Sequence, residues 1–210
     1  MNSIEKSTLI ATMGLMCFLT ASNLSAAKAI QLYEIRLTAG FFTYPFVYLC
    51  SAVIAGTRTP TIYNQSIGFA YVGYLCFISL MYLSSLLPSI DPSSSYNQSF
   101  NTIYNLSNYR IFLSSLCAYF LSMYLFGVLF HTLAIQNMTL KIGFATFIVA
   151  LIDVNLFLIL AFWGVKSFDV LFDIMFWASI KKLLAQALLI APSVWIINYI
   201  RNQNEYCFSN

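Results

Sequence analysis

A small polar set stands inside otherwise apolar stretches: Asn23, Asp153, Lys182, Gln186 and some hydroxyls. A carboxylate, an ammonium group and two amides can hold a polar solute by charge and by directed hydrogen bonds. They form no plausible catalytic cluster. The only histidine, His131, has no serine or cysteine motif near it, so a hydrolytic triad has no starting point. No nucleophile–base pair suggests an enzyme, and no phosphate-binding loop suggests that the chain consumes ATP itself. The five cysteines, Cys17, Cys50, Cys76, Cys117 and Cys207, form no CxxC pair. With a single histidine they do not match metal-site spacing, and they read as small thiols that behave as apolar groups. No metal and no cofactor are expected.

Asp153 lies near the middle of Leu140–Gly164, LKIGFATFIVALIDVNLFLILAFWG. That stretch can cross a bilayer, which takes about 20 mostly apolar residues. An acid at that depth is costly in hydrocarbon and should face the protein interior. At helical spacing Thr146, Ala150, Asp153 and Phe157 share one face, and Asn155 lies about 160° away.

The whole chain has the same character. It has 210 residues, 60% of them hydrophobic and 8% charged, with a mean hydropathy of +0.78. Soluble domains carry about 25% charged residues, so this chain reads as an integral membrane protein in a lipid bilayer. Its charge of +3 is scattered, which argues against nucleic acid. The start, MNSIEKSTLI, resembles a signal sequence in outline. Without a small-x-small cleavage site ahead of a soluble domain, it reads as part of the first span.

Six spans are expected, at about 8–27, 37–55, 67–87, 111–133, 142–164 and 176–200, forming one all-α transmembrane bundle. Lys28 ends the first, where a lysine commonly snorkels to the head groups. Pro45 falls well inside the second, where it should kink the helix. Gly56–Ser66 reads as a loop, and the third span reads as mostly lipid-facing. Pro88–Tyr109 reads as an exposed loop with at most a short interfacial turn. The sequons at Asn97 and Asn105 carry little weight in so Asn/Ser-rich a stretch.

Arg110 opens the fourth span, either as an interface anchor or as a planar fork for a polar ligand. There Ser115, Tyr119 and Ser122 share one face, and Arg110 and Ser114 another. Lys182 and Gln186 share a face of the last span. If that span enters the membrane near Phe176, Lys182 needs a counter-charge, and Asp153 is the one acid well inside a span. If it enters near Leu183, Lys181 and Lys182 are interfacial. The basic residues divide as Lys6, Arg58, Lys141 and Arg201 on one side and Lys28, Arg36, Arg110 and Lys166 on the other, which leaves orientation open. A few polar groups on kinked helices among aromatics suit a pathway for a flat heterocycle. A carboxylate accepts two hydrogen bonds from a guanine-like edge, and aromatic rings stack on its face.

Several segments resemble the VUT/YhhQ family, the queuosine precursor transporters. Asn23–Lys28 resembles its Asn-x4-Lys element, and Leu37–Leu49 its G-x4-P segment. Arg110–Phe120 resembles its R-x3-S-x3-AY element. Thr146 to Gly164 resembles T-x6-D-x3-F-x3-AF-x-G, with Asp153, Phe157, Ala161, Phe162 and Gly164 in place, and Lys182 followed by Pro192 fits the last helix. Where that pattern has acidic or amide residues, this chain has Ala52, Gly56, Met123, Phe126, Ala150 and Ala178.

The resemblance implies import of a 7-deazapurine such as preQ0 or preQ1 by six helices in a bacterial cytoplasmic (inner) membrane. The expected substrate-binding residues are Asn23, Arg110, Ser114, Tyr119, Asp153, Phe157, Lys182 and Gln186. The lost polar positions leave two alternatives: a transporter of another small heterocycle, or a non-transporting membrane protein of the same fold in which Asp153 and Lys182 hold helices together. Oligomeric state and any energising partner stay open.

Overall fold

A computed structural model of the chain describes residues 3–26, 28–32, 35–104 and 109–208, apart from the side chains of 3, 26, 29, 32, 35–38, 109 and 204–208. The sequon at Asn105 lies outside the described residues. Among the described residues, six helical segments are long and apolar enough to cross a membrane. The fold is the all-α bundle the apolar runs require, with one short hairpin added.

Helix α1, Ser3–Ala26, leads into the hairpin, β1 (Ala29–Leu32) and β2 (Ile35–Thr38), antiparallel with Ala29 opposite Thr38. A 3-10 turn, Ala39–Phe42, precedes α2, Pro45–Thr57. Then come α3 (Pro60–Ser85), the short α4 (Ser95–Ile103), α5 (Tyr109–Thr132), α6 (Met138–Phe162) and α7 (Phe168–Phe208). The beginnings of α1, α3 and α6 and the ends of α2, α5 and α7 line one cleft. The spans therefore run alternately up and down, and the first and last helices have those ends on the same side.

Several boundaries differ from the sequence expectations. Pro45 does not kink a helix; it starts one. Proline is well placed in a first turn, because the N–H it lacks would be unpaired there anyway. The second span is still interrupted, by the 3-10 turn and by Thr43 and Tyr44 ahead of Pro45. The same device ends the expected 56–66 loop early. Thr59 is extended before Pro60 (φ −69°, ψ 159°), as a residue before proline prefers, and α3 begins at once. One side of α3 is buried, through Tyr63, Ser66, Ile67, Ala70, Tyr74 and Ile78.

Within 88–109 the chain forms α4, capped by Ser94, whose hydroxyl accepts from the Asn97 N–H at 3.2 Å. Its Phe100 packs on Tyr104 at 4.9 Å between ring centres, the pairing expected of an aromatic belt at a membrane surface. Ahead of it Ser93 donates to Asp91 through both Oγ (2.7 Å) and N (3.1 Å), which holds that exposed carboxyl below its usual range. The last helix begins at Phe168, not near 176, and runs 41 residues through Pro192, about 62 Å at the α-helical rise. Asp169 thereby becomes a first-turn acid, at the positive end of the helix.

The core centres on Leu15, Leu19, Val47, Tyr63, Met123, Phe126, Ile142 and Ile197, all fully buried or nearly so. A smaller cluster, Val154, Leu158 and Leu171, packs with Phe157 and Phe162. Outward-facing residues include Phe69, Leu80, Leu184, Leu188 and Trp195. So much exposed apolar area suits hydrocarbon and not water.

Candidate functional site

On α6 the stripe Thr146, Val149, Ala150 and Asp153 is buried, and Asp153 is only 3% exposed. Its Oδ2 accepts a hydrogen bond from Tyr44 Oη at 2.6 Å and forms an ion pair with Lys182 Nζ. Lys182 Nζ also lies 4.0 Å from the centre of the Tyr44 ring and 5.9 Å from that of Tyr48. The ammonium is thus held by a carboxylate and by the negative faces of two aromatic rings. Three segments position this group: the middle of α6, the first half of α7, and the break before α2. Because Pro45 restarts the helix, Tyr44 sits in the turn with its hydroxyl directed at Asp153.

One helical turn further along α2 is Tyr48, and one turn further along α7 is Gln186. Both line a narrow cleft with Thr146, Ile142 and Ser193. Gln186 is 2% exposed, and neither its Nε2 and Oε1 nor the Tyr48 hydroxyl has a partner in hydrogen-bonding geometry, although Gln186 and Asp153 both lie close to that hydroxyl. On α5 the hydroxyls of Tyr119 and Ser122 are likewise buried and unpartnered. Buried polar groups are normally satisfied, so this concentration of unused donors and acceptors is a functional signal. The cleft measures about 10 Å³, which admits a water and not a heterocycle. The conformation is closed around its polar groups.

The structure brings Asp153, Lys182 and Gln186 together and places Tyr119 in the same core cluster as Tyr48. The other candidates have protein partners of their own. Asn23 Oδ1 accepts from Ser115 Oγ at 2.6 Å, and its Nδ2 donates to the Leu19 carbonyl at 3.0 Å, which ties α1 to α5. Arg110 donates from Nε to Leu160 O (2.8 Å) and from Nη2 to Trp163 O (2.6 Å), capping the C-terminal end of α6. Ser114 donates to the Arg110 carbonyl at 2.6 Å. Phe157 stands edge-on to Phe162 in the smaller cluster, centres 6.4 Å apart. The sequence reading missed Tyr44 and Tyr48. Their signal was present: two tyrosines four apart inside a span, each with a hydroxyl that needs a partner.

The family described as "Putative vitamin uptake transporter" matches residues 38–197. The chain belongs to this family. No curated protein and no solved structure matches it. The matched stretch contains Tyr44, Tyr48, Arg110, Asp153, Lys182 and Gln186 and leaves out Asn23. As a member of the vitamin uptake transporter family, the chain is a multi-span membrane protein built to take up a small molecule.

Tyr44→Phe in this family member separates two contributions, since it keeps the ring under Lys182 and removes the donor to Asp153. A hydrogen bond to a charged group contributes about 1.5–3 kcal/mol, and a loss of that size is expected in unfolding measured in detergent micelles. An unchanged stability would mean that the Tyr44–Asp153 bond contributes nothing to the fold.

Proposed function

We propose that the chain imports a queuosine precursor, a 7-deazapurine such as preQ0 or preQ1, across a bacterial cytoplasmic membrane. The observation that carries this reading is the Asp153–Lys182–Tyr44 group beside a buried Gln186 and Tyr48 whose hydrogen-bonding capacity is unused. In the closed state Asp153 and Lys182 neutralise each other. When the helices separate, a flat base displaces the ammonium from Asp153. The carboxylate then accepts two hydrogen bonds from the guanine-like edge, and Gln186 supplies one donor and one acceptor to a neighbouring edge. Tyr44 and Tyr48 offer faces for stacking. Lys182 keeps its charge over those rings while it is displaced. Tyr119, in the same buried cluster as Tyr48, holds a further unpartnered hydroxyl in reserve, whereas Asn23, Arg110, Ser114 and Phe157 hold the surrounding helices in register.

The direct test is queuosine in tRNA. The host lacks its own precursor transporter and precursor synthesis, expresses this chain, and grows at low external preQ0 or preQ1. Restored queuosine is expected. Gln186→Leu, which keeps bulk and removes both polar atoms, is expected to lower the restored level at least tenfold with the protein still inserted.

A second reading rests on the ion pair being already satisfied inside the protein: a non-transporting relative in which Asp153 and Lys182 join helices. An inserted chain that restores no queuosine, and whose melting temperature no purine analogue shifts, supports that reading instead.

A further inference from the structure

The cleft where the six span ends meet lies at the opposite end of α6 from Arg110 and holds about 400 Å³, within the range of about 300–1,000 Å³ typical of small-molecule sites. Arg58, His131, Lys141 and Arg201 line it, from the α2–α3 link, α5, α6 and α7, and no carboxylate among the described residues does. Glu5 and Lys6 follow the lining residue Ile4 on α1, both exposed and opposite in charge.

The cationic groups are built in. Arg201 donates from Nε (3.1 Å) and Nη2 (2.6 Å) to the Gly56 carbonyl at the end of α2, which offsets the negative pole of that helix. Arg58 is fixed by Nε on Thr8 Oγ1 at 2.6 Å. Lys141 Nζ lies 5.0 Å from the centre of the Phe130 ring, and the buried His131 Nε2 has no partner. Thr59, the residue before α3, also lines the cleft and makes no side-chain cap, so the positive pole of that helix lies beside it.

Three formal positive charges facing one cavity repel one another unless an anion sits among them. Basic groups reach the cleft from four segments, Lys141 and the remaining guanidinium N–H groups among them, which suits the several oxygens of a phosphate better than a two-oxygen carboxylate. We propose that this cleft is a phosphate site, occupied by the phosphodiester of an anionic lipid head group or by a free phosphate.

The test uses the purified full-length chain in a neutral detergent. Thermal shift and native mass spectrometry follow dioleoyl phosphatidylglycerol against dioleoyl phosphatidylcholine, and sodium phosphate against sodium chloride at equal ionic strength. Binding of phosphatidylglycerol over phosphatidylcholine is expected. Lys141→Gln, which leaves the Arg58–Thr8 and Arg201–Gly56 bonds in place, should weaken it at least tenfold. Lys166→Gln, which lies outside the cleft, should leave it unchanged. Stabilisation by inorganic phosphate that Lys141→Gln also removes assigns the site to free phosphate as well; phosphatidylglycerol alone assigns it to lipid. If neither probe binds above its control, or if Lys141→Gln binds as the wild type does, the proposal is overturned.

Discussion

Asp153→Ala is expected to destabilise the folded protein by about 3 kcal/mol and to abolish uptake. The stability loss follows from what remains. Removing one member of a buried pair leaves its partner uncompensated, at a cost of about 3–5 kcal/mol. Lys182 has a side chain 17% exposed and rests on two aromatic rings, so the lower end of that range applies. Asp153→Ala/Lys182→Met should then recover most of the stability, because an apolar pair of similar volume is often as stable as a buried ion pair. Uptake should stay absent in both variants, since neither offers a carboxylate to the substrate. Thermal unfolding in detergent and the tRNA queuosine assay read the two effects separately. Wild-type stability in Asp153→Ala would remove the ion pair from the account of folding. Wild-type uptake would remove Asp153 from the account of transport.

Gly127→Ala should be the most damaging single methyl addition among the glycines of the bundle, at about 1–3 kcal/mol or more. A Cβ there would lie 2.3 Å from Cε1 and 2.6 Å from Cδ1 of Tyr63. That ring cannot move aside. Tyr63 is fully buried, and its hydroxyl is bonded to Ser51 Oγ and to the Met123 carbonyl, both at 2.7 Å. Gly73→Ala is a control of similar nominal closeness, since its Cβ would lie 2.6 Å from Met16 Sδ. A thioether bends away at little cost, so a smaller loss is expected there. At Gly68 nothing lies within 4 Å, and alanine should be neutral or slightly stabilising through helix propensity. Equal melting temperatures for the Gly127 and Gly68 variants would show that α3 and α5 are not packed as described.

The sequence made the helices and the ion pair legible for one reason: both involve groups that are expensive in the wrong medium. A long apolar run must cross the bilayer, and a buried carboxylate needs a cation, which Lys182 supplies only if the last span enters early; the start of α7 at Phe168 meets that condition. The sequence could announce a need for partners but not choose between a ligand and a neighbour. The same need makes Asn23 and Arg110 candidates for binding, and in the structure backbone carbonyls and Ser115 meet it. Tyr44 was hidden for the opposite reason: among 14 tyrosines one more hydroxyl does not stand out. Arg58, Lys141 and Arg201 read as scattered charge because only folding brings their helix ends together. Ala52, Met123, Phe126 and Ala150, apolar where the resembled pattern is polar, are all 1% exposed or less. Polar side chains there would need buried partners, and the core meets those positions with dry packing instead.

One consequence of the unbroken α7 concerns motion. Lys182 and Arg201 ride on the same rod, about 28 Å apart at the α-helical rise. Pro192 lies between them, has no N–H for the Leu188 carbonyl, and so leaves a soft joint where bending breaks no further backbone bond. A bend at that joint would part Lys182 from Asp153 and leave the Arg201 bonds to Gly56 in place. Bent there, the helix would act as a jointed lever, one arm tied to Gly56 and the other carrying the partner of Asp153.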